Sequence, residues 1–287
     1  MKKILLQGYP GSYHDVACQA YFRESGNEVV ACDSFEILAK TLAEDDSVTH
    51  AVMAIENSIA GSILQNYRLL RENNFNIIGE IYLRIEHCLM ALPGTQISDL
   101  TEIHSHPMAI KQCRTYFNNY PHLALVDKED TALSAKMLQE RGESHVGAIA
   151  SKRAAEIYHL DVLQENVEDN KHNYTRFFII QKEKVVSDNY NKASVCLQLK
   201  HTKGSLSMVL NELVAHDINL SKLQSYPVLG QLTQYFFHMD LEFYDPKKYL
   251  ECKVSIDSLC INYQELGKYQ KADLSAALRN ELTSVAL

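Results

Sequence analysis

The run from Phe75 to Leu92 is apolar and strand-like almost throughout, well beyond the roughly 5–6 residues of an ordinary strand. A segment of that length has to leave one sheet and enter another. The chain on either side repeats one pattern. Before the run, strands at Lys2–Gln7, Glu28–Cys32 and Thr49–Ile55 alternate with helices starting at Ser12 and Ser34. After Pro93 and Gly94 the alternation restarts, with strands at Glu102–Ser105, Leu123–Val126 and His145–Ala150 and helices opening at Pro107, Thr131 and Lys152. Such alternation marks parallel sheets with helices on their faces. The first 183 residues are therefore read as α/β, in two lobes of about 1–80 plus 165–183 and about 81–164. The chain crosses twice between them, leaving a cleft where a small ligand binds.

Polar groups stand at the mouths of several of these strands, where ligands of open parallel sheets sit. Gly8-Tyr9-Pro10-Gly11 leads into Ser12, an N-cap residue, so free N–H groups at that turn can cradle a carboxylate or phosphate. Its spacing matches neither a dinucleotide fingerprint nor a Walker A loop. Asn57 and Ser58 end the third strand and read equally well as ligand contacts or as a turn residue and an N-cap. Asn173-Tyr174-Thr175-Arg176 runs into the apolar strand Phe177–Ile180. Alternation points Asn173, Thr175 and Phe177 to one face and Arg176 to the other. Thr175 is placed in the active site. His104 and His106 have no Cys, Asp or Glu cluster at ligand spacing and are read as structural.

Composition narrows the function. A formal net charge of −8, from 28 Lys and Arg against 36 Asp and Glu, argues against nucleic-acid binding, which needs a basic face. No apolar run reaches the roughly 18 residues of a spanning helix, and the start of the chain reads as a strand rather than a signal peptide. Seven scattered cysteines without a C-x-x-C pair fit reduced core residues, hence a cytoplasmic protein.

Past a polar linker at 182–192, the pattern changes to β-α-β-β-α-β over 193–270, a ferredoxin-like unit able to fold alone. Its strands and helices are expected at Ser194–Lys200, from Ser205, Ile218–Ser225, Gln231–Phe243, Asp245–Ser258 and Cys260–Leu266. The tail 271–287 has Leu274, Leu278 and Leu282 at helical spacing.

Three stretches carry a family likeness: Ile55-Glu56-Asn57-Ser58 with Gly61, Ser105-His106-Pro107 with Gln112-Cys113, and Asn173-Tyr174-Thr175-Arg176-Phe177. In that order they closely resemble prephenate dehydratase, with the Gly8–Tyr13 turn and Thr131-Ala132 also matching. The C-terminal unit resembles an ACT domain, and the likeness spans residues 2 to about 270. It implies a periplasmic-binding-protein-like catalytic domain that turns prephenate into phenylpyruvate, carbon dioxide and water without metal or organic cofactor. By similarity the essential threonine is Thr175, supported by Asn57 and Gln112, and substrate contacts fall on Ser12, Ser58, Thr131, Asn173 and Arg176. Arg176 is assigned to the pyruvyl carboxylate, against the alternation that turns it away from Thr175.

In the ACT unit, Gly204-Ser205-Leu206 resembles the family's Gly-Ala-Leu, and Asn219-Leu220-Ser221 follows its pattern. Where the family has Glu-Ser-Arg-Pro, the chain has Gln224-Ser225-Tyr226-Pro227, removing an ion pair. The likeness implies feedback by L-phenylalanine at a subunit interface, in a homodimer or homotetramer, with a purely dimerising unit as the alternative. His14 and Met108 also depart from the family pattern. The rival activities are arogenate dehydratase and a non-catalytic sensor of small acids.

Overall fold

The protein is described by a computed structural model covering residues 2–23, 26–184 and 188–273. The first sheet is built from β1 (Lys3–Gln7), α1 (Tyr13–Phe22), β2 (Glu28–Cys32), α2 (Phe35–Glu44), β3 (His50–Asn57), the short β4 (Gly61–Ser62), α3 (Leu64–Glu72) and β5 (Asn76–Arg84). Ser12 and Ser34 cap α1 and α2, their hydroxyls accepting from Asp15 N and Ile37 N. β1 pairs in parallel with β2 and β3, as βαβ units require.

The long apolar run breaks after β5. Ile85, Glu86 and His87 carry the chain into a second sheet, which begins with β6 (Cys88–Ala91). That sheet continues through β7 (Glu102–Ser105), α4 (Pro107–Gln112), α5 (Arg114–Phe117), β8 (Ala124–Asp127), α6 (Thr131–Arg141), β9 (Val146–Ala150), α7 (Lys152–Tyr158) and β10 (Asp161–Gln164), in the order β10-β6-β9-β7-β8. The chain then returns as β11 (Tyr174–Gln181), which inserts antiparallel between β3 and β5. The two crossing segments run side by side: Ile85 N donates to Asn173 O at 2.7 Å and Val167 N to His87 O at 2.9 Å.

The C-terminal unit has the expected β-α-β-β-α-β order, as β12 (Lys192–Leu199), α8 (Ser205–Ala215), β13 (Asn219–Pro227), β14 (Tyr235–Glu242), α9 (Pro246–Leu259) and β15 (Cys260–Tyr269). Its antiparallel sheet runs β13-β14-β12-β15. Two expectations need correcting here. Lys192, read as the end of a linker, opens β12 and is buried at 3% exposure. The unit also does not stand alone. Only one face of its sheet is covered by α8 and α9. The other joins the first sheet in one core, where Cys196, Tyr226, Phe236, Leu266 and Tyr269 pack with Tyr67, Phe75, Ile77, Phe178 and Ile180. Gly267 makes this contact possible, because a Cβ there would collide with the Ile77 backbone.

Buried charge aligns the two sheets. Arg176, on β11, is 2% exposed. Its Nε donates to Glu80 Oε2 at 2.7 Å and its Nη1 to Asp240 Oδ2 at 2.5 Å, and its Nη2 lies 3.3 Å from Tyr269 Oη. Lys192 Nζ reaches both Glu80 oxygens at 3.0 and 3.1 Å. Burial works against charge on Asp240, but Arg176 prevails and holds its carboxyl well below the usual range. The tail 271–287 lies, from residue 274 onward, outside the described residues. Among the described residues no helix is long and apolar enough to cross a membrane.

Glu56 also lies 3.5 Å from Arg176 Nη1, but Asp240 is closer and fully buried, so Asp240→Asn should destabilise the protein by roughly 3–5 kcal/mol, the usual cost of breaking a buried pair. Urea unfolding of the full chain measures this, and a change under about 0.5 kcal/mol would mean the network does not hold the sheets together.

Candidate active site

Between the lobes lies a cavity of about 360 Å³. From the first lobe it is lined by Ser12, Tyr13 and His14 at the start of α1, Asn57 at the end of β3, the β4 hairpin, and Thr175 and Phe177 of β11. The second lobe contributes His106, Met108 and Gln112 of the α4 segment, with Glu129, Asp130 and Thr131 at the start of α6. His87 lines it from the crossing segment.

The expected trio converges. Asn57 Nδ2 donates to Thr175 Oγ1 at 3.0 Å and to Asn173 Oδ1 at 2.7 Å, and Asn173 Nδ2 donates to Gln112 Oε1 at 3.0 Å. The direction of this chain is fixed by the backbone. Asn57 Oδ1 accepts from Ile59 N and Ala60 N at 2.9 and 2.8 Å, and backbone N–H groups can only donate, so the amide nitrogen of Asn57 must face Thr175. Asn57 thus makes the turn and also lines the cavity. Thr175 Oγ1 accepts this bond, and its own proton is committed to no protein group among the described residues. A threonine held this way can donate a hydrogen bond or proton into the cavity.

Four sequence assignments are corrected. Arg176 does not line the cavity: strand alternation turns it to the opposite face, where Glu80 and Asp240 hold it. Asn173 is fully buried and holds Asn57 and Gln112 rather than a ligand. Ser58 is neither helix cap nor cavity residue; its hydroxyl accepts from Tyr174 N and donates to His172 O, fastening the hairpin to the crossing segment. Tyr226 is buried against the first sheet, 3.3 Å from Cys196 Sγ, not on an effector surface. Ser12 and Thr131 do line the cavity.

No Lys or Arg lines this cavity among the described residues. Backbone donors come instead from the N-terminus of α1, whose first N–H groups lack intrahelical partners; at α6 the Asp130 carboxylate already accepts from Leu133 N at 2.9 Å. Burial raises the Asp130 carboxyl above its ordinary value. The lobes are latched beside the start of α1. Ser151 Oγ donates to Gly11 O at 2.5 Å, Arg153 Nε to Asp15 Oδ2 at 2.8 Å, and Tyr158 Oη to Pro10 O at 2.9 Å. Gly11, at φ +85°, leaves no room for a side chain, since a Cβ would lie 2.7 Å from Ala154 Cα.

His14, the departure in the first turn, accepts from Ala54 N at 3.2 Å and packs edge-on against Phe177. Burial pushes its pKa down to about 3, so it is neutral at the cavity floor. Sequence reasoning passed over His87. Its ring sits 3.1 Å from Gln112 Oε1 and 2.7 Å from Tyr13 Oη, and its only signal was a polar residue at the break of the long apolar run.

The effector motifs are not together within one chain. Gly204, Ser205 and Leu206 stand at the start of α8, whereas Asn219, Leu220 and Ser221 follow its far end; an 11-residue helix spans about 16 Å. Gln224, Ser225 and Pro227 lie further along the edge strand β13.

Fold and cavity define a small-molecule cleft between two α/β lobes, furnished with hydrogen-bond donors. The chain belongs to the prephenate dehydratase family, whose model matches residues 4–185. It is 38% identical over 227 residues to arogenate dehydratase/prephenate dehydratase 1, chloroplastic, of Arabidopsis thaliana, covering 78% of this chain and 57% of that protein. It thus spans little more than half the length of that plant relative. A bifunctional N-acyl-homoserine lactone acylase/prephenate dehydratase of Komagataeibacter europaeus is 34% identical, covering 83% of this chain and 85% of that one. A solved prephenate dehydratase from Arthrobacter aurescens in complex with L-Phe has the same fold, with TM-score 0.85 at 23% identity and 99% of each chain covered.

The neutral His14 gives a pH signature. Histidine in an unfolded chain titrates near 6.5 and His14 at about 3, so between those values the unfolded chain binds the extra proton and stability falls as pH drops. Denaturant unfolding at pH 7 and 4.5 should show the wild type losing about 2.5 kcal/mol more than His14→Gln between the two, almost all of it below pH 6.5. Equal losses would mean that His14 is not held neutral.

Proposed function

We propose that the chain is a prephenate dehydratase acting in phenylalanine biosynthesis. The observation that carries this reading is the orientation of Thr175, which accepts from Asn57 and so keeps its proton for the substrate. In the reaction, the bond to the ring carboxylate breaks and its electron pair completes the aromatic ring. The ring hydroxyl leaves with a proton as water, and the products are phenylpyruvate and carbon dioxide. Thr175 donates to that leaving oxygen and is reprotonated from solvent, a role worth ~10²–10⁴-fold. Threonine is a weak acid, so orientation and exclusion of water supply the rest. A carboxylate of the substrate faces the N-terminus of α1, with Ser12, Thr131 and the Gln112 amide as side-chain donors.

Arogenate is the second substrate to compare. Glu129 and Asp130 line the cavity and offer partners to an ammonium group where prephenate has a ketone. The names of the plant relatives support testing both.

We assign residues 193–270 as an ACT unit that binds L-phenylalanine, and the L-Phe complex of the similarly folded protein supports this. Its two effector motifs, at opposite ends of α8, complete a site only between two copies, so the reading requires a homodimer or homotetramer. Seven free cysteines, six of them buried, fit a reducing, cytoplasmic setting.

Purified protein incubated with prephenate should form phenylpyruvate, and Thr175→Val, which removes the hydroxyl at constant volume, should lose ~10²–10⁴-fold in kcat while folding normally. Absence of phenylpyruvate from the wild type would overturn the reading, as would a variant with undiminished turnover. Titration calorimetry with phenylalanine should give heat and the ligand should slow turnover; no heat with unchanged activity would refute feedback.

A further inference from the structure

The hydrogen-bond chain at Thr175 does not stop at Gln112, and its direction can be followed outward from the backbone. Ile59 N and Ala60 N hold Asn57 Oδ1, so Asn57 Nδ2 donates to Asn173 Oδ1. Asn173 must then present its nitrogen to Gln112, 3.0 Å away, and the Gln112 atom that meets it must be the oxygen. That oxygen also lies 3.1 Å from His87 Nε2. An amide oxygen cannot donate, so His87 Nε2 carries a proton. Burial lowers the His87 pKa and keeps the ring neutral, which leaves Nδ1 as an acceptor. The Tyr13 hydroxyl, 2.7 Å from Nδ1 and 2.9 Å from Glu86 O, therefore gives its proton to the ring.

Two consequences meet at the cavity. The Gln112 oxygen is saturated from inside by two donors, and its amino group bonds no protein group among the described residues. The Thr175 hydroxyl is filled by Asn57. Both cavity-facing groups are thus donors, as a departing hydroxide and a carboxylate require.

We infer that His87, locked in its Nε2–H tautomer by Tyr13, is a positioning residue that holds the Gln112 amide with its amino group toward the substrate. The inference rests on the dehydratase reading for its kinetic test, and it has a structural readout that does not.

The test is a series of full-length variants assayed with prephenate, alongside thermal unfolding. His87→Leu, which cannot donate, should lose about 10- to 100-fold in kcat with KM within about threefold. His87→Gln places an amide nitrogen where Nε2 stood and should recover most of that loss. His87→Asn, which reaches only as far as Nδ1, should not. A merely structural role would make both amides equally poor or equally good. The inference is overturned if His87→Leu keeps wild-type kcat, or if His87→Gln folds like the wild type yet matches His87→Leu. Nitrogen-15 NMR of the wild type should show the Nε2–H tautomer of His87, and loss of that preference in Tyr13→Phe. Finding the Nδ1–H form in the wild type sinks the inference whatever the enzyme turns over. An inactive wild type showing the Nε2–H form sinks the dehydratase reading and leaves the positioning of Gln112 standing.

Discussion

Consecutive residues of a strand point to opposite faces of its sheet, and on β11 those residues are Thr175 and Arg176. One turns to the cavity, and the other turns into the protein as a guanidinium with almost no exposure. A lone charge at that depth is not tolerable, so anions have to come to it. Glu80 arrives from the neighbouring strand, and Asp240 from β14 of the C-terminal unit. The C-terminal sheet must therefore dock on the first sheet in one register, with Lys192 and Ser194 filling the remaining valences of Glu80 and Asp240. Apolar contact alone would allow sliding; a buried guanidinium with fixed partners does not.

Much of this was legible in the chain. Alternation of short apolar runs with capped helices gave two α/β lobes with β1 and β7 paired in parallel to their neighbours. The excess length of 75–92 gave the crossing, but not that β6 and β11 on the crossing side enter their sheets antiparallel. Asn57, Gln112 and Thr175 were named from separate stretches and meet through Asn173, although Asn57 and Thr175 are 118 positions apart. Arg176 shows where local and family reasoning part. The period of the strand turned it from the cleft, the motif assigned it to substrate, and the period was right. What one sequence cannot display is a partner. Nothing in the neighbourhood of Arg176 announces Asp240, and nothing near His87 announces Gln112 or Tyr13. For the same reason nothing local announces that the second face of the C-terminal sheet is covered: Lys192, Ser194 and His238 are polar residues, yet all three are buried.

On the proposed reading, an anionic substrate is held without cationic side chains among the described lining residues of the cavity. Helix N-termini offer partial charge on fixed backbone, so they need no ordering of long side chains when a ligand binds. They also leave the hydroxyl and amide groups as the reactive-end donors, undisturbed by a nearby guanidinium that would compete for the same oxygens. On the proposed reading the arrangement divides labour: backbone for charge, Asn57 and Gln112 for direction, Thr175 for the proton.

The latch of α7 on the Gly8–Ser12 turn bears on how the lobes could part. Ser151 and Tyr158 bind that turn from the opposite lobe, Arg153 binds Asp15 in the helix that follows it, and the Gln112–Asn173 bond ties the lobes again on the crossing side. One tie joins the α7 segment to the first turn and to Asp15, and the other joins Gln112 of α4 to the crossing segment, so separating the lobes has to break hydrogen bonds in both places.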